Sequence, residues 1–131
     1  MRLLSDTHKF IWSFSNTKKL SAIAAGELQN SANEIYVSVA SIWEMQIKIK
    51  LGKMIFNDTL ENIIIEQQHV NRIQILPVNL AHALHLENLP PHHKDPFDRL
   101  LISQAIVENM TLVSADTNFA KYQVSLLWQN C

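Results

Sequence analysis

Short apolar runs alternate along this chain with longer stretches in which apolar positions recur every three or four residues. The runs "MRLLS", "EIYVSV", "IQILPV", "TLVSA" and "VSLLW" are rich in β-branched and aliphatic residues and predict strands. The helical rhythm runs through "THKFIWSFS", "SAIAAGELQNSA" with Ser21 as N-cap, "SIWEMQIKIKL" closed by Gly52, "DTLENIIIEQQHV", whose triple isoleucine would also suit a strand, and "LAHALHLENL". "PPHHK" predicts a loop, and the helix "PFDRLLISQAIVENM" after it has the clearest start. Asp95 stands at the N-cap, Pro96 takes the first helical position, and Phe97, Leu100, Leu101 and Ala105 form an apolar stripe. A short helical stretch, "DTNFAKY", separates the last two strands.

Strands separated by helices predict an α/β fold: a mainly parallel sheet covered on both faces. In such sheets ligands bind in the crevice at the carboxyl ends of the strands. At 131 residues the chain has the length of one domain, able to bury about two-thirds of its unfolded surface in a single core. Two glycines and four prolines leave little room for linkers.

Composition narrows the function classes. With 11 Lys plus Arg against 12 Asp plus Glu, a nucleic-acid partner requires a local basic patch or a metal ion. The lone cysteine, Cys131, excludes an internal disulfide, and no apolar run approaches the ~20 residues that span a bilayer. Asp6, His8 and Lys9 interrupt any signal-peptide core in "MRLLSDTHKF", so the expected location is the cytoplasm, with no membrane partner.

The predicted strand ends carry acids. Asp6 ends the first strand, Glu44 lies early in the helix after "EIYVSV", Asp98 is in the first turn of "PFDRLL", and Asp116 follows "TLVSA". Each taken alone reads as a helix cap, worth about 0.3–1 kcal/mol; Ser41-x-x-Glu44 fits a capping box and Asp95-x-x-Asp98 a looser relative. Capping explains the set less well, because Thr7 and Thr117 stand ready to cap without charge. Four carboxylates on one rim repel one another unless a cation compensates, and Mg²⁺ or Mn²⁺ takes such oxygen ligands. That pattern points to metal-assisted hydrolysis of a phosphodiester.

In "LLSDTH", "VSVASIWEMQIKIKLGK", "LPPHHKDPFDRLLISQA" and "LVSADTNFAKY" the chain resembles a PIN domain, and is similar to the VapC-like toxins of bacterial toxin–antitoxin pairs, over almost all of its length. The resemblance implies a Rossmann-like three-layer α/β/α sandwich, one nuclease domain over residues 1–131, and Mg²⁺- or Mn²⁺-dependent endoribonuclease activity. It further implies an RNA substrate, a cognate antitoxin whose segment blocks the site, and a homodimer. Carried over by position, the metal ligands fall on Asp6, Glu44, Asp98 and Asp116, with Ser114 hydrogen-bonding a ligand or water. Ser5 stands where an apolar residue is expected before the first aspartate.

Other polar residues have plainer expectations. Asp95 is sufficient as a cap, with an accessory part in the site. Arg99 supports a carboxylate, contacts phosphate or is solvated. His92 and His93 are rim residues, and His8 starts a helix. The spacing of His82 and His85 suits an ordinary amphipathic helix as well as zinc. Lys48, Lys50 and Lys53 make the one local cationic run, read as a solvated helix end or an RNA contact. Trp12, Trp43 and Trp128 fit core or dimer-interface positions. Two other classes set the contrast. A PIN fold that has lost activity acts only through its partner. A phospho-acceptor receiver needs an acidic pair after its first strand, whereas Asp6 stands alone.

Overall fold

The computed structural model describes residues 1–15, 18, 22–91, 95–114 and 116–127. Among them five parallel strands form one sheet: β1 (Arg2–Ser5), β2 (Glu34–Ser38), β3 (Gln74–Leu76), β4 (Thr111–Val113) and β5 (Ser125–Leu127), in the order β3-β2-β1-β4-β5. Side chains alternate across the sheet, as the two-residue period of a strand dictates. Leu3, Ile35, Val37, Ile75, Val113 and Leu127 pack into one cluster, and Leu4, Tyr36, Leu76, Leu112 and Leu126 into the other.

Helices cover both faces, giving a three-layer α/β/α sandwich. On the first face lie α1 (Thr7–Ser15), α2 (Ala22–Gln29), α3 (Val39–Lys50) and α4 (Leu60–Val70), contributing Phe10, Ala24, Met45 and Leu60. On the second lie α5 (Leu80–His85) and α6 (Pro96–Val107), through which Leu101, Ile102 and Ala105 reach the sheet. Leu3 and Leu4 of the central strand are fully buried on opposite faces, so truncating either to alanine would cost about 2–5 kcal/mol.

Local chemistry explains most element ends. Asp95 caps α6 by accepting from the Phe97 N–H at 2.8 Å, with Pro96 in the first turn as expected. Gly52 closes α3 at φ 72°, and the Lys53 N–H returns to the Lys48 carbonyl at 2.9 Å, the six-to-one bond of a left-handed helix stop. Asn109 (φ 55°) stops α6 in the same way, with Met110 N–H on the Ala105 carbonyl at 2.8 Å, so that helix is three residues shorter than its apolar pattern suggested.

Several boundaries differ from expectation. The helix after β2 begins at Val39 and not Ser41, because the Ser38 hydroxyl accepts from the Ala40 N–H at 3.0 Å and takes the N-cap. The expected capping box at Ser41 is therefore not formed, and the Ser41 hydroxyl is buried with no hydrogen-bond partner among the described residues. The fifth helix breaks after His85 into a 3₁₀ turn, Leu86–Asn88, and "DTNFAKY" forms a second one at Thr117–Lys121. Ser21, His92, His93 and Trp128 lie outside the described residues. Ser5, the polar residue ending β1, is buried and donates to the Asp6 carbonyl at 3.2 Å.

Candidate active site

Parallel strands bring all their carboxyl ends to one rim, and the helices that follow them start there. The chain runs outward from β1 to β2 and β3, then returns to the other side of β1 for β4 and β5. This reversal opens the crevice between the ends of β1 and β4, where a ligand finds backbone not covered by a crossover.

Asp6 stands at the end of β1. Its backbone N–H reaches the Val113 carbonyl at 3.1 Å, which extends the β1–β4 ladder and fixes its side chain at the crevice. The carboxylate accepts from the Lys9 N–H at 2.7 Å, so Asp6 is indeed the cap of α1. It is more than a cap, because the side chain is buried. Burial pushes its carboxyl above the usual range, opposed by a hydrogen bond from Ser114, the Lys9 N–H, and the charges of Lys9 and His8.

Ser114 joins the two sides of the crevice. Its fully buried hydroxyl bonds the Asp6 side chain and accepts from the Asp116 N–H at 3.1 Å. One oxygen thereby sets both the Asp6 carboxylate and the backbone of Asp116, which is half-buried just beyond β4.

Glu44 approaches from the second turn of α3. It is buried, with Oε1 accepting from Thr7 Oγ1 at 2.8 Å and Oε2 lying 3.0 Å from Lys48 Nζ. Thr7, which the sequence offered as a spare cap, instead ties α1 to α3. No local signal reveals that role, because its partner lies 37 residues away. Lys48 turns inward to this pair, while Lys50 and Lys53 are exposed, so the cationic run does not act as one surface.

Asp98 is half-buried in the first turn of α6, the helix that meets α3 at this rim. The contact between the two helices is a pair of aromatic rings, Trp43 and Phe97, 5.3 Å apart and nearly perpendicular. Trp43 is thus no core residue: it is 62% exposed. Trp12 packs partly into the first core, with Lys9 Nζ 3.6 Å from its ring centroid. Burial lowers the Lys9 ammonium and the neighbouring Asp6 charge raises it again.

Among the described residues, no three carboxylate, imidazole or thiol groups gather closely enough to hold a metal ion. Asp6 and Asp116 are linked through Ser114, and Glu44 is linked to the residue after Asp6, but the four acids do not converge on one point. Arg99 contacts no carboxylate of this set in a direct hydrogen bond. Its guanidinium binds the carbonyl of Pro90 at 3.0 Å and those of Leu86 and Leu89 at 3.4 Å, pinning the segment that leads toward Asp95. His8 is exposed at the start of α1. His82 is buried away from the rim, where Nδ1 accepts from the Asn79 N–H at 3.1 Å, a structural use that removes the zinc reading of His82 and His85.

Compared with protein families, residues 3–124 match the PIN domain. Solved structures share the fold, three of them as follows. The VapBC2 structure from Rickettsia felis, bound to a DNA fragment from its promoter, has a chain superposing with a TM-score of 0.72 at 19% identity, covering 98% of this chain and 100% of that one. VapBC-1 of nontypeable Haemophilus influenzae gives 0.68 at 17% identity, covering 97% of each chain. DNA-bound VapBC from Salmonella typhimurium gives 0.68 at 12% identity, also covering 97% of each. A comparison with curated proteins finds no match.

Proposed function

The chain belongs to the PIN-domain family, and from that premise we propose that it is a divalent-metal-dependent endoribonuclease, a single domain over residues 1–131, acting as the toxin of a toxin–antitoxin pair. The observation that carries this reading is the buried Asp6 carboxylate, tied through the Ser114 hydroxyl to the backbone of Asp116 just beyond β4, in the crevice where the strand order reverses. Folding alone needs no buried charge at that point, since a serine or threonine caps a helix as well.

The donor chemistry fits Mg²⁺ or Mn²⁺. Asp6, Glu44, Asp98 and Asp116 supply hard oxygen atoms, and the buried Asp6 carboxylate is a group whose charge a cation would stabilise. These four residues would hold the metal, directly or through water, and when bound it would supply an activated water and charge stabilisation for phosphodiester hydrolysis. The protein's own groups prepare the site. Ser114 orients Asp6 and the Asp116 turn, while Thr7 and Lys48 orient Glu44. Lys9, held against Trp12, keeps positive charge beside Asp6.

An antitoxin partner is supported by the similar solved chains, which occur in VapBC complexes. A homodimer is part of the same reading, as is a cytoplasmic site of action. Among the described residues no helix is long and apolar enough to cross a membrane.

The deciding experiment is cleavage of a labelled structured RNA by purified protein with Mn²⁺, beside Asp98→Asn and Asp6→Asn versions prepared identically. Metal-dependent cutting that both variants lose is the expected outcome. No cutting by the unaltered chain, or equal cutting by all three, would leave a PIN fold that acts only as a binding module, a reading that the unconverged acids already make concrete.

A further inference from the structure

Trp43 is the largest exposed apolar side chain in the described molecule, and its position is not random. It immediately precedes Glu44 on α3, and its edge-to-face partner Phe97 immediately precedes Asp98 on α6. The two rings therefore sit one residue before the two acids that come from helices rather than from strand ends. Phe97 braces the indole at 5.3 Å and 76°, yet more than half of the indole surface remains open. A braced, open indole is already immobilised, so a flat ligand ring laid on it loses little additional side-chain freedom.

Beside it runs a groove of about 440 Å³ lined by Trp43, Gln46, Ile47, Ile49, Lys50 and Leu51. Gln46 and Lys50 are both exposed there. The groove thus combines an aromatic face, an amide with donors and an acceptor, and an ammonium group, which are the groups that hold a base, its edge and a phosphate in single-strand binding.

We propose that Trp43, braced by Phe97, is a stacking platform for an unpaired base of the RNA strand next to the scissile phosphate, with Lys50 contacting a neighbouring phosphate. The proposal rests on the ribonuclease reading and adds to it a residue that holds the strand: inside a duplex both faces of a base are stacked on neighbours, so an unpaired base is the one free to lie on the indole. Stacking is tolerant of base identity, so the platform sets strandedness more than sequence.

Binding of a short fluorescein-labelled unstructured oligoribonucleotide, and of the matching duplex, is measured by anisotropy at low salt without added metal. Trp43→Ala is expected to weaken single-strand binding by roughly 5- to 150-fold, with Trp43→Phe restoring most of it and duplex binding unaltered. An abasic nucleotide at the stacked position should abolish the difference between Trp43→Ala and the unaltered chain. Equal affinity of Trp43→Ala and the unaltered chain overturns the proposal, as does equal loss on duplex and single strand. Val39, Trp43, Ile47 and Leu51 also form an exposed apolar stripe at helical spacing. A fall in mass by light scattering in Trp43→Ala, with strand binding unchanged, would overturn the platform and assign that stripe to a second copy of the chain. Because the readout is binding, failure here is distinct from failure of the nuclease reading, which shows as absent cleavage by the unaltered protein.

Discussion

Two clusters of polar side chains are buried in this small protein, and they are built differently. Behind α5 and α6, His82 Nδ1 accepts from the Asn79 N–H, Ser103 Oγ donates to the His82 carbonyl at 2.6 Å, and the Gln104 amide donates to the Pro77 carbonyl at 3.2 Å. The last two bonds fasten α5 and the segment before it to α6, and His82 Nε2 lies 3.4 Å from the partly exposed carboxylate of Glu108 just past the end of that helix. At the rim, by contrast, Asp6 and Glu44 bring buried carboxylates, and Asp6 is held above its usual pKa by desolvation. The hydrogen bonds that the Lys9 N–H and Ser114 make to it offset only part of that cost. Buried polarity alone therefore does not mark a functional site. Buried charge whose cost exceeds what capping requires is the better mark.

The contrast is open to attack at both clusters. The largest expected effect is on chemistry: Asp6→Asn or Asp98→Asn should lower Mn²⁺-dependent RNA cleavage by more than about 100-fold, since altering residues that only support metal ligands already costs about 10–100-fold. Retained cleavage in either variant would remove that acid from the site.

Next comes stability at the cluster between α5 and α6. His82→Ala should destabilise the fold by about 2–4 kcal/mol, through a cavity and an uncapped Asn79 N–H. Cleavage per folded molecule should be unaltered. Denaturant unfolding together with an activity assay on the folded fraction checks both halves, and a large loss of specific activity would blur the distinction between the clusters.

A smaller effect is expected at the groups that orient the acids. Ser114→Ala and Thr7→Val should each cost about 10–100-fold in cleavage, with the fall in kcat and little change in the affinity for RNA. A single-turnover assay separates the two.

The smallest effect concerns Asp6 and pH. Its folded pKa lies above the unfolded one, so the folded state keeps the proton to higher pH. Stability contributed by the protonated form is therefore lost as pH rises from the ordinary aspartate range through the raised folded value. Asp6→Asn should flatten that slope and, at neutral pH, raise stability by roughly 0.5–2 kcal/mol while abolishing activity. Thermal melts of both proteins across acidic to neutral pH measure it. A steeper slope in the variant would mean that the carboxylate stabilises the fold.

Much of this was readable from residue order. Asp95 followed by Pro96 marks a helix start because the cap, the fixed proline φ and the missing N–H all act within one turn. Gly52 marks a helix stop because a left-handed residue there is permitted by its own lack of a side chain. Where two candidates compete, local signals fail: Ser38 and Ser41 are both plausible caps, and the paired edge of β2, which ends at Ser38 against Leu76 of β3, decides for Ser38. Of the core and dimer-interface positions that suit Trp43, the structure excludes the core, for a related reason. Its position in an apolar stripe is legible, but whether that stripe faces the core depends on how α3 lies on the sheet, and here it faces outward.

By itself, then, the order of residues determined the alternation of strands and helices, the parallel α/β class, and the place of the acids Asp6, Glu44, Asp98 and Asp116 near strand ends and helix starts, because each rests on contacts spanning a few residues. Only the tertiary structure decided that β1 lies between β2 and β4, that Ser114 reaches Asp6, that Thr7 holds Glu44, and that Lys9 and Lys48 stand beside the two buried acids. Those pairings join residues far apart in the chain, and their distances are set by the packing of helices on a twisted sheet, which no short stretch of sequence encodes.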